Sequence, residues 1–187
     1  FNPITATDYD DDSVATTKAT AAKFNAGIDV FRDDILSSKL AGQWDVVYSW
    51  GVLHHTGSMA QAIRYASEYV KPRGLFIIAI YLKTPLCGFW KIEKQIYSRM
   101  PSAIQYGAAY AFRGLAYALK AVDTDVEKQR GMNWFNDAKD WLGGYPYESA
   151  SPNETLEMIG REFSLLQSFN TKPGPGILGS GCAEYVL

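Results

Sequence analysis

Cysteine and histidine are scarce in this chain, whose 187 residues include two of each. Cys87 and Cys182 lie far apart in unlike sequence contexts, so they predict neither a disulfide framework nor a metal site. A reducing environment is the simplest interpretation of so few cysteines, and we expect a cytoplasmic location.

Blocks of basic residues are lacking as well. The 18 lysines and arginines are spread along the chain against 20 acids, which gives a formal net charge of −2. This balance offers no positive field for a nucleic acid, so we expect no nucleic-acid partner. The N-terminal segment carries the acidic run Asp10–Asp12 rather than a basic start before an apolar stretch, so it does not predict a signal peptide.

Apolar residues, in contrast, are plentiful. The chain is 47% hydrophobic and 14% aromatic, enough for one ordinary core, which predicts a single domain over residues 1–187. The sequence begins at Phe1, almost inside a predicted strand at residues 4–7. We therefore expect this chain to be the later part of a longer protein.

The most informative segment runs from Gln43 to Tyr81. An apolar strand at residues 44–49 leads into a polar loop with two adjacent histidines, and an amphipathic helix then leads to a second apolar strand at residues 75–82. This order predicts a strand–helix–strand unit with parallel strands. Residues 46–48 show no polar alternation, which predicts a strand covered on both faces.

Acids close two earlier predicted strands. Asp8 ends the strand at residues 4–7, and Asp34 follows the strand at residues 28–31. Open parallel sheets bind ligands at the carboxyl ends of their strands, where an acid such as Asp8 can accept both hydroxyls of a ribose. Asp34 could accept a hydrogen bond from an adenine amino group while Ile35 covers the ring. The alternatives are a helix cap for Asp8 and a solvated turn acid for Asp34.

The two histidines, His54 and His55, lie in the loop after the strand at residues 44–49. A general base would lie at such a strand end, and an ordinary histidine pKa near ~6.5 suits proton transfer. A metal site is less favoured, because adjacent histidines rarely face one ion and no third ligand is evident. The alternative is that one of them packs under the loop and bonds the backbone.

Residues 84–147 change pattern and predict an all-helical insertion or lid. Within residues 89–100, apolar side chains recur every three or four positions and form one face of a predicted helix. A longer helix is predicted from Ser102 to Val122. Arg113 lies in the middle of the longer helix, so a lid, a core helix or a subunit contact is favoured over a membrane span.

Contact of this insertion with a membrane surface is a less favoured alternative. It stays open because Lys91, Lys94 and Arg99 flank apolar and aromatic residues. After the insertion, residues 154–162 predict a helix, and strands at 163–170 and 182–187 are expected to pair antiparallel.

Four segments together resemble the class I S-adenosylmethionine-dependent methyltransferases: ITATDYDDDSV, FRDDIL, WDVVYSWGVLHH and VKPRGLFIIAIY. The resemblance covers about residues 4 to 82. It implies an α/β Rossmann-like fold, with a mostly parallel sheet, helices on both faces and an antiparallel last strand. It also implies methyl transfer from S-adenosylmethionine to a small-molecule or lipid-like acceptor.

The resemblance assigns roles to particular residues. It implies that Asp8 holds the ribose of the cofactor and that Asp34 and Ile35 bind near the adenine. The residues expected to line the methionine half are Ser49, Trp50 and Gly51, with Trp50 near the sulfonium by cation–π attraction. The residues expected to border or cover the acceptor are His54, His55, Trp134, Trp141, Tyr145 and Tyr147. The two histidines are the catalytic candidates, since either could remove a proton from an oxygen or nitrogen acceptor.

The family's first strand, glycine-rich loop and first helix have no counterpart in this sequence. We therefore expect this chain to bind the cofactor weakly or to be inactive, to expose a sheet edge, and to associate, for example as a dimer. Two other hypotheses stay open: a nicotinamide-dependent oxidoreductase, which shares the ribose-binding acid, and a non-catalytic interaction module. The oxidoreductase is disfavoured because no Tyr-x-x-x-Lys pair follows the strand at residues 44–49.

Overall fold

The computed structural model describes residues 3–118, 134–172 and 181–187. Within these ranges the strands are β1 (Ile4–Asp8), β2 (Ile28–Arg32), β3 (Trp44–Trp50), β4 (Val70–Tyr81), β5 (Gln167–Phe169) and β6 (Cys182–Val186). The helices are α1 (Asp11–Lys23), α2 (Met59–Glu68), α3 (Cys87–Tyr97), α4 (Ser102–Ala118), α5 (Trp134–Gly143) and α6 (Pro152–Ile159).

The strands form two sheets. β1 and β2 pair in parallel, from Ile4 opposite Ile28 to Asp8 opposite Arg32. The second sheet has the order β3-β4-β6-β5, in which β3 is parallel to β4 and β6 is antiparallel to both of its neighbours. The predicted Rossmann-like α/β fold class is confirmed, although the strands form two sheets rather than the single mostly parallel sheet that was expected.

Side chains that cap the first turn mark where α1 and α6 begin. Asp10 is the N-cap of α1, since its Oδ2 accepts a hydrogen bond from Ser13 N at 2.7 Å. At α6, Ser151 Oγ accepts from Glu154 N while the Glu154 carboxylate accepts from Ser151 N. This reciprocal pair satisfies two backbone donors that the helix itself cannot.

The main core lies between the second sheet and helices α2 and α6. Phe76, Ile78 and Ile80 of β4 face this core and are at most 1% exposed. Because side chains alternate between the faces of a strand, Tyr48 and Trp50 of β3 project from the opposite face, where they are 63% and 47% exposed. The prediction that β3 is covered on both faces is therefore wrong, since α2 and α6 cover one face.

The start of β4 also differs from the prediction. Pro72 predicts a break before the strand, yet β4 already begins at Val70. Val70 pairs with Trp44 and Leu75 with Val46, so β4 uses three more residues than β3 over this stretch. Such a bulge accommodates a proline inside a strand, because the extra residues leave the ladder.

The two sheets are connected by residues 33–43. Ile35 and Leu36 of this connection pack against the main core, and the Tyr69 hydroxyl donates to Ser38 Oγ at 2.8 Å. Within the described ranges, β1 pairs with no strand besides β2, and β3 pairs with none besides β4. Each therefore has one open edge, in line with the expected exposed sheet edge.

The range predicted as an insertion, residues 84–147, contains α3, α4 and α5. Tyr97, Ala109 and Leu142 bring the three helices together in a buried cluster. The predicted continuation of α4 to residue 122 lies outside the described residues, as does most of the glycine- and proline-rich loop before β6. The predicted strand at 163–170 is shortened to the three residues of β5.

Candidate functional site

The carboxyl ends of β1 and β2 lie side by side, as expected for neighbouring parallel strands. A cavity of about 590 Å³ opens beside the end of β2. Its lining residues are Tyr9, Phe31, Arg32, Asp33, Asp34, Ser37, Lys39, Leu40 and Ala41. The cavity thus combines an aromatic and an aliphatic wall with carboxylates, the kind of surface that fits a flat polar ring.

The carboxylates of Asp8 and Asp34 both accept a hydrogen bond from the backbone N–H two residues later in the chain. Asp8 Oδ1 accepts a hydrogen bond from Asp10 N at 2.9 Å, and Asp34 Oδ1 accepts one from Leu36 N at 3.0 Å. Asp34 lines the cavity, whereas Asp8 is exposed at the strand tip and is not among the lining residues. Each carboxylate keeps further acceptor sites, because an ionised carboxylate can accept about four hydrogen bonds.

Sequence analysis missed the apolar walls of this cavity. Ile35, the residue expected over the adenine, instead packs against the main core and does not line the cavity. Phe31 and Leu40 line the cavity. The sequence contains a signal for Phe31, because it is a large apolar residue at the end of the predicted strand at residues 28–31.

Ser49, Trp50 and Gly51 lie at the end of β3, in the second sheet, and do not line the cavity beside β2. The Trp50 ring stacks on Tyr48, with ring centroids 5.9 Å apart and planes 12° apart. Gly51 has φ of +73°, a conformation that favours glycine, and its N–H donates to Ala79 O at 3.1 Å. The glycine therefore lets the chain leave β3 abruptly toward the histidines.

His54 and His55 lie in a single 3₁₀ turn, Leu53–His55, directly after β3. His54 is fully buried, with its ring centroid 3.9 Å from that of Tyr81. Neither of its ring nitrogens has a hydrogen-bond partner among the described residues. Burial, with a smaller contribution from His55, lowers the pKa of His54 to about 3, so the ring is neutral at physiological pH.

His55 is half-buried and has a defined partner. Its Nδ1 lies 2.8 Å from Pro146 O, and because a carbonyl oxygen only accepts, Nδ1 carries the hydrogen and Nε2 the lone pair of the neutral ring. Burial lowers the pKa of His55, and the positive charge of Lys94 lowers it further. Hydrogen bonding to the backbone of Pro146 and Gly144 raises it and so opposes part of this shift. The hydrogen bond to Pro146 O therefore fixes which tautomer the neutral ring adopts.

The segment after α5 holds the histidine turn in place. Glu148 N donates to His54 O at 3.0 Å, and the Glu148 carboxylate accepts from Met59 N, at the start of α2, at 2.8 Å. Ala150 N donates to Tyr81 O at 3.0 Å. The insertion therefore returns to the sheet along the turn, and its last residues fix the turn's backbone.

The aromatic residues of the insertion surround a buried lysine. The Lys94 side chain is 0% exposed, its Nζ donates to Trp141 O, and it lies 4.0 Å from the Trp141 ring centroid and 5.5 Å from that of Tyr147. Burial lowers the pKa of Lys94 to about 8, while Glu93 opposes this. Lys94 and these rings form a compact cluster next to Tyr81.

The residues expected to cover the acceptor differ in how far their side chains are exposed. Tyr147 is 2% exposed and donates its hydroxyl to Cys87 Sγ at 3.3 Å, whereas Tyr145 is 38% exposed. Trp141 packs against Tyr81 at 5.8 Å between centroids. Trp134 begins α5, and its side chain lies outside what the structure describes. Among the described residues no cluster of three or more His, Cys, Asp and Glu could hold a metal ion.

Residues 1–76 match the family profile described as a methyltransferase domain. Over these residues the chain is similar to a methyltransferase domain. The match ends inside β4, so it includes β1 to β3, the histidine turn and α2. The chain has no match among curated protein sequences.

Solved methyltransferase structures share the fold. PKMT2 from Rickettsia typhi matches 97% of this chain and 42% of its own, with a TM-score of 0.62 and 10% identity. Magnesium protoporphyrin IX methyltransferase from Synechocystis PCC 6803, solved with bound SAH, matches 97% of this chain and 63% of its own, with a TM-score of 0.53 and 14% identity. The chain thus spans less than two thirds of either protein.

The strand-end residues fit one half of the family's cofactor. S-adenosylmethionine carries an adenosine, and the tip of β1 offers an exposed carboxylate on Asp8 for ribose hydroxyls. The cavity beside β2 offers Phe31 and Leu40 to the faces of a purine and Asp34 to its amino group. Ser49, Trp50 and Gly51, expected at the methionine half, do not line this cavity beside β2.

Proposed function

We propose that this chain forms the adenosine-binding and acceptor-binding parts of a methyltransferase that acts on a small-molecule or lipid-like acceptor. The observation that carries the proposal is the parallel pairing of β1 and β2, which puts Asp8 beside the end of the cavity-lining strand. The methyltransferase-domain match over residues 1–76 favours this function over the nicotinamide-dependent alternative.

In this proposal the adenosine is held by strand-end residues. Asp8 accepts hydrogen bonds from the ribose hydroxyls, Phe31 and Leu40 contact the adenine, and Asp34 accepts from its amino group. Ile35 supports the cavity from the core side, since it packs there. Ser49, Trp50 and Gly51 border the methionine half, with the Trp50 ring as a candidate contact for the positive charge.

S-adenosylmethionine supplies an activated methyl group, so the protein has to align the acceptor, exclude water and remove a proton. His55 is better placed than His54 to accept that proton. Its Nδ1–H is held by Pro146 O, which leaves the Nε2 lone pair as the basic site. His54 is fully buried, so it supports the turn and the ring of His55, 4.4 Å away between centroids.

The aromatic side of the acceptor site is formed by the insertion. Tyr145 is partly exposed beside Pro146 and could contact the acceptor directly, whereas Trp141 and Tyr147 form the wall behind it. Trp134 is proposed for the same wall on sequence grounds alone. A lipid-like or aromatic acceptor suits such a surface, because aromatic side chains contribute large apolar contacts.

The proposal is tested by calorimetric titration of the chain with S-adenosylhomocysteine and, separately, with NAD. We expect S-adenosylhomocysteine to bind and Asp8→Asn to weaken it by about 10-fold or more, as expected for the loss of a charged hydrogen-bond acceptor. Asp29→Asn, an exposed acid within β2, is the matched control and should leave binding unchanged.

Three results would contradict the proposal. The first is that S-adenosylhomocysteine does not bind, and the second is that NAD binds more tightly. The third is that the Asp8 and Asp29 variants bind S-adenosylhomocysteine equally well. Association through the open edges of β1 and β3 stays a separate prediction, which sedimentation of the same samples tests.

A further inference from the structure

Helix α3 exposes an apolar stripe that the proposed methyl transfer does not use. Phe89, Ile92 and Ile96 are 61%, 60% and 54% exposed. Their spacing of three and four residues puts them on one face of the helix. The opposite face carries Trp90 and Tyr97, which are buried in the insertion. The stripe is therefore a surface feature of a helix that is already anchored on its other side.

Helix α4, the next helix along the chain, also exposes large apolar and aromatic side chains. Its inward side carries Ala109, which is 0% exposed. Its exposed large side chains are Ile104, Tyr106, Tyr110, Leu115 and Tyr117, at 47–67%. Single exposed apolar residues are ordinary, but so many on two consecutive helices indicate a contact surface.

The charges on these helices point to the kind of partner. Lys91, Arg99 and Arg113 are exposed, and the only acid in residues 85–118 is Glu93, which is half-buried. Burial raises the pKa of the Glu93 carboxyl. The exposed surface of α3 and α4 is therefore positive, although the chain as a whole has a net charge of −2. A partner that carries negative charge beside an apolar layer is complementary to it.

We propose that α3 and α4 bind the surface of an anionic lipid membrane. The stripe Phe89, Ile92 and Ile96 enters the boundary between headgroups and acyl chains, while Lys91 and Arg99 contact the anionic headgroups.

A second copy of the chain is the less favoured occupant. A two-fold symmetric contact would bring the same patch from each copy together, and with it the exposed cations of both. Like charges opposed across an interface are unfavourable, whereas anionic headgroups neutralise them. Among the described helices, none has the length and apolar character needed to cross a membrane.

Vesicle sedimentation with the full 187-residue chain tests the proposal. The probes are vesicles of phosphatidylcholine alone and of phosphatidylcholine mixed with phosphatidylglycerol. We expect binding to the mixed vesicles, weakened by added salt. The double variant Lys91→Glu/Arg99→Glu should bind at least about fivefold more weakly for each cation lost. Lys18→Glu/Lys23→Glu on α1 makes the same charge change elsewhere and is the matched control.

The apolar stripe has its own variant and control. Ile92→Ser/Ile96→Ser should reduce vesicle binding by at least about tenfold, because each lost side chain no longer leaves water. Phe24→Ser removes a residue that is 72% exposed on another surface and should leave binding unchanged. All these side chains are exposed, so we expect unchanged circular dichroism and thermal unfolding.

Two outcomes would overturn the proposal. One is that the chain does not sediment with the mixed vesicles, or sediments equally with all variants. The other is a concentration-dependent dimer that Ile92→Ser/Ile96→Ser dissociates, without vesicle binding by the wild type, which would assign the surface to a second copy. Neither outcome depends on cofactor binding, so failure here is distinguishable from failure of the proposed function.

Discussion

Gly144 lies against the ring of His55, and replacing it by alanine tests the placement of that ring. A Cβ at Gly144 would lie 2.8 Å from His55 Cε1 and 3.1 Å from Asp140 O. The first distance is shorter than carbon–carbon contacts allow, so either the ring or the backbone must move. Gly143 is the matched control, because a Cβ there would lie 3.6 Å from Tyr97 Cε1, an ordinary contact.

The expected cost follows from the overlap. Overpacking of a fitted site typically costs about 1–3 kcal/mol, so Gly144→Ala should lower the free energy of unfolding by that amount. For a chain of this size, each kcal/mol shifts the melting temperature by about 2–4 °C. Gly143→Ala should be neutral or slightly stabilising, because Gly143 ends α5 and alanine favours a helix by up to about 1 kcal/mol.

Two measurements decide the prediction. Thermal unfolding should place Gly144→Ala below both the wild type and Gly143→Ala. Nitrogen NMR of the imidazole should show that only Gly144→Ala changes the signal of His55 Nδ1, which donates to Pro146 O at 2.8 Å. If Gly144→Ala melts with the wild type and leaves this signal unchanged, the packing of His55 against the insertion is refuted.

Two further predictions concern the buried basic residues. The pKa of His54 is lowered from 6.5 to about 3, so the unfolded chain binds a proton that the folded chain does not, and stability falls as the pH drops below 6.5. Between pH 7.5 and 5.0, urea unfolding should show that the wild type loses about 2 kcal/mol more than His54→Leu, and equal losses would contradict this. Lys94→Met keeps the packing against the Trp141 ring and should cost less than about 1.5 kcal/mol, whereas Lys94→Ala leaves a cavity and should cost about 2–5 kcal/mol. Equal destabilisation by the two Lys94 substitutions would instead assign the stability to the charge.

The succession of strands along the chain could be predicted because its signals are local. The terminal acid at Asp8 and the apolar runs of β3 and β4 each depend on a few neighbouring residues. The start of β4 could not be predicted, since Val70 joins the strand by pairing with Trp44, which is distant in sequence. The pairing of Val70 with Trp44 extends the strand past Pro72, although Pro72 locally favours a turn.

The candidate site was predictable in residue type but not in geometry. Both histidines follow β3 as expected, yet nothing near them in the sequence indicates that His54 packs beneath Tyr81 or that His55 meets Pro146. These contacts join residues far apart in the chain. Packing of Ile35 against the main core could not be predicted for the same reason, because its contacts there are distant in sequence.

The hydrogen bonds that tie residues 146–150 to the histidine turn have a consequence for protein engineering. Pro146 and Glu148 bind the histidine turn through their backbones, and the Glu148 carboxylate binds the start of α2. The backbone of Ala150 binds the end of β4. A chimera that exchanges helices to alter acceptor choice should therefore join the donor sequence after Lys83 and before Gly144. A graft that extends beyond Gly144 would replace the segment whose hydrogen bonds orient the imidazole. A graft within these limits would change the proposed acceptor wall and leave that segment intact.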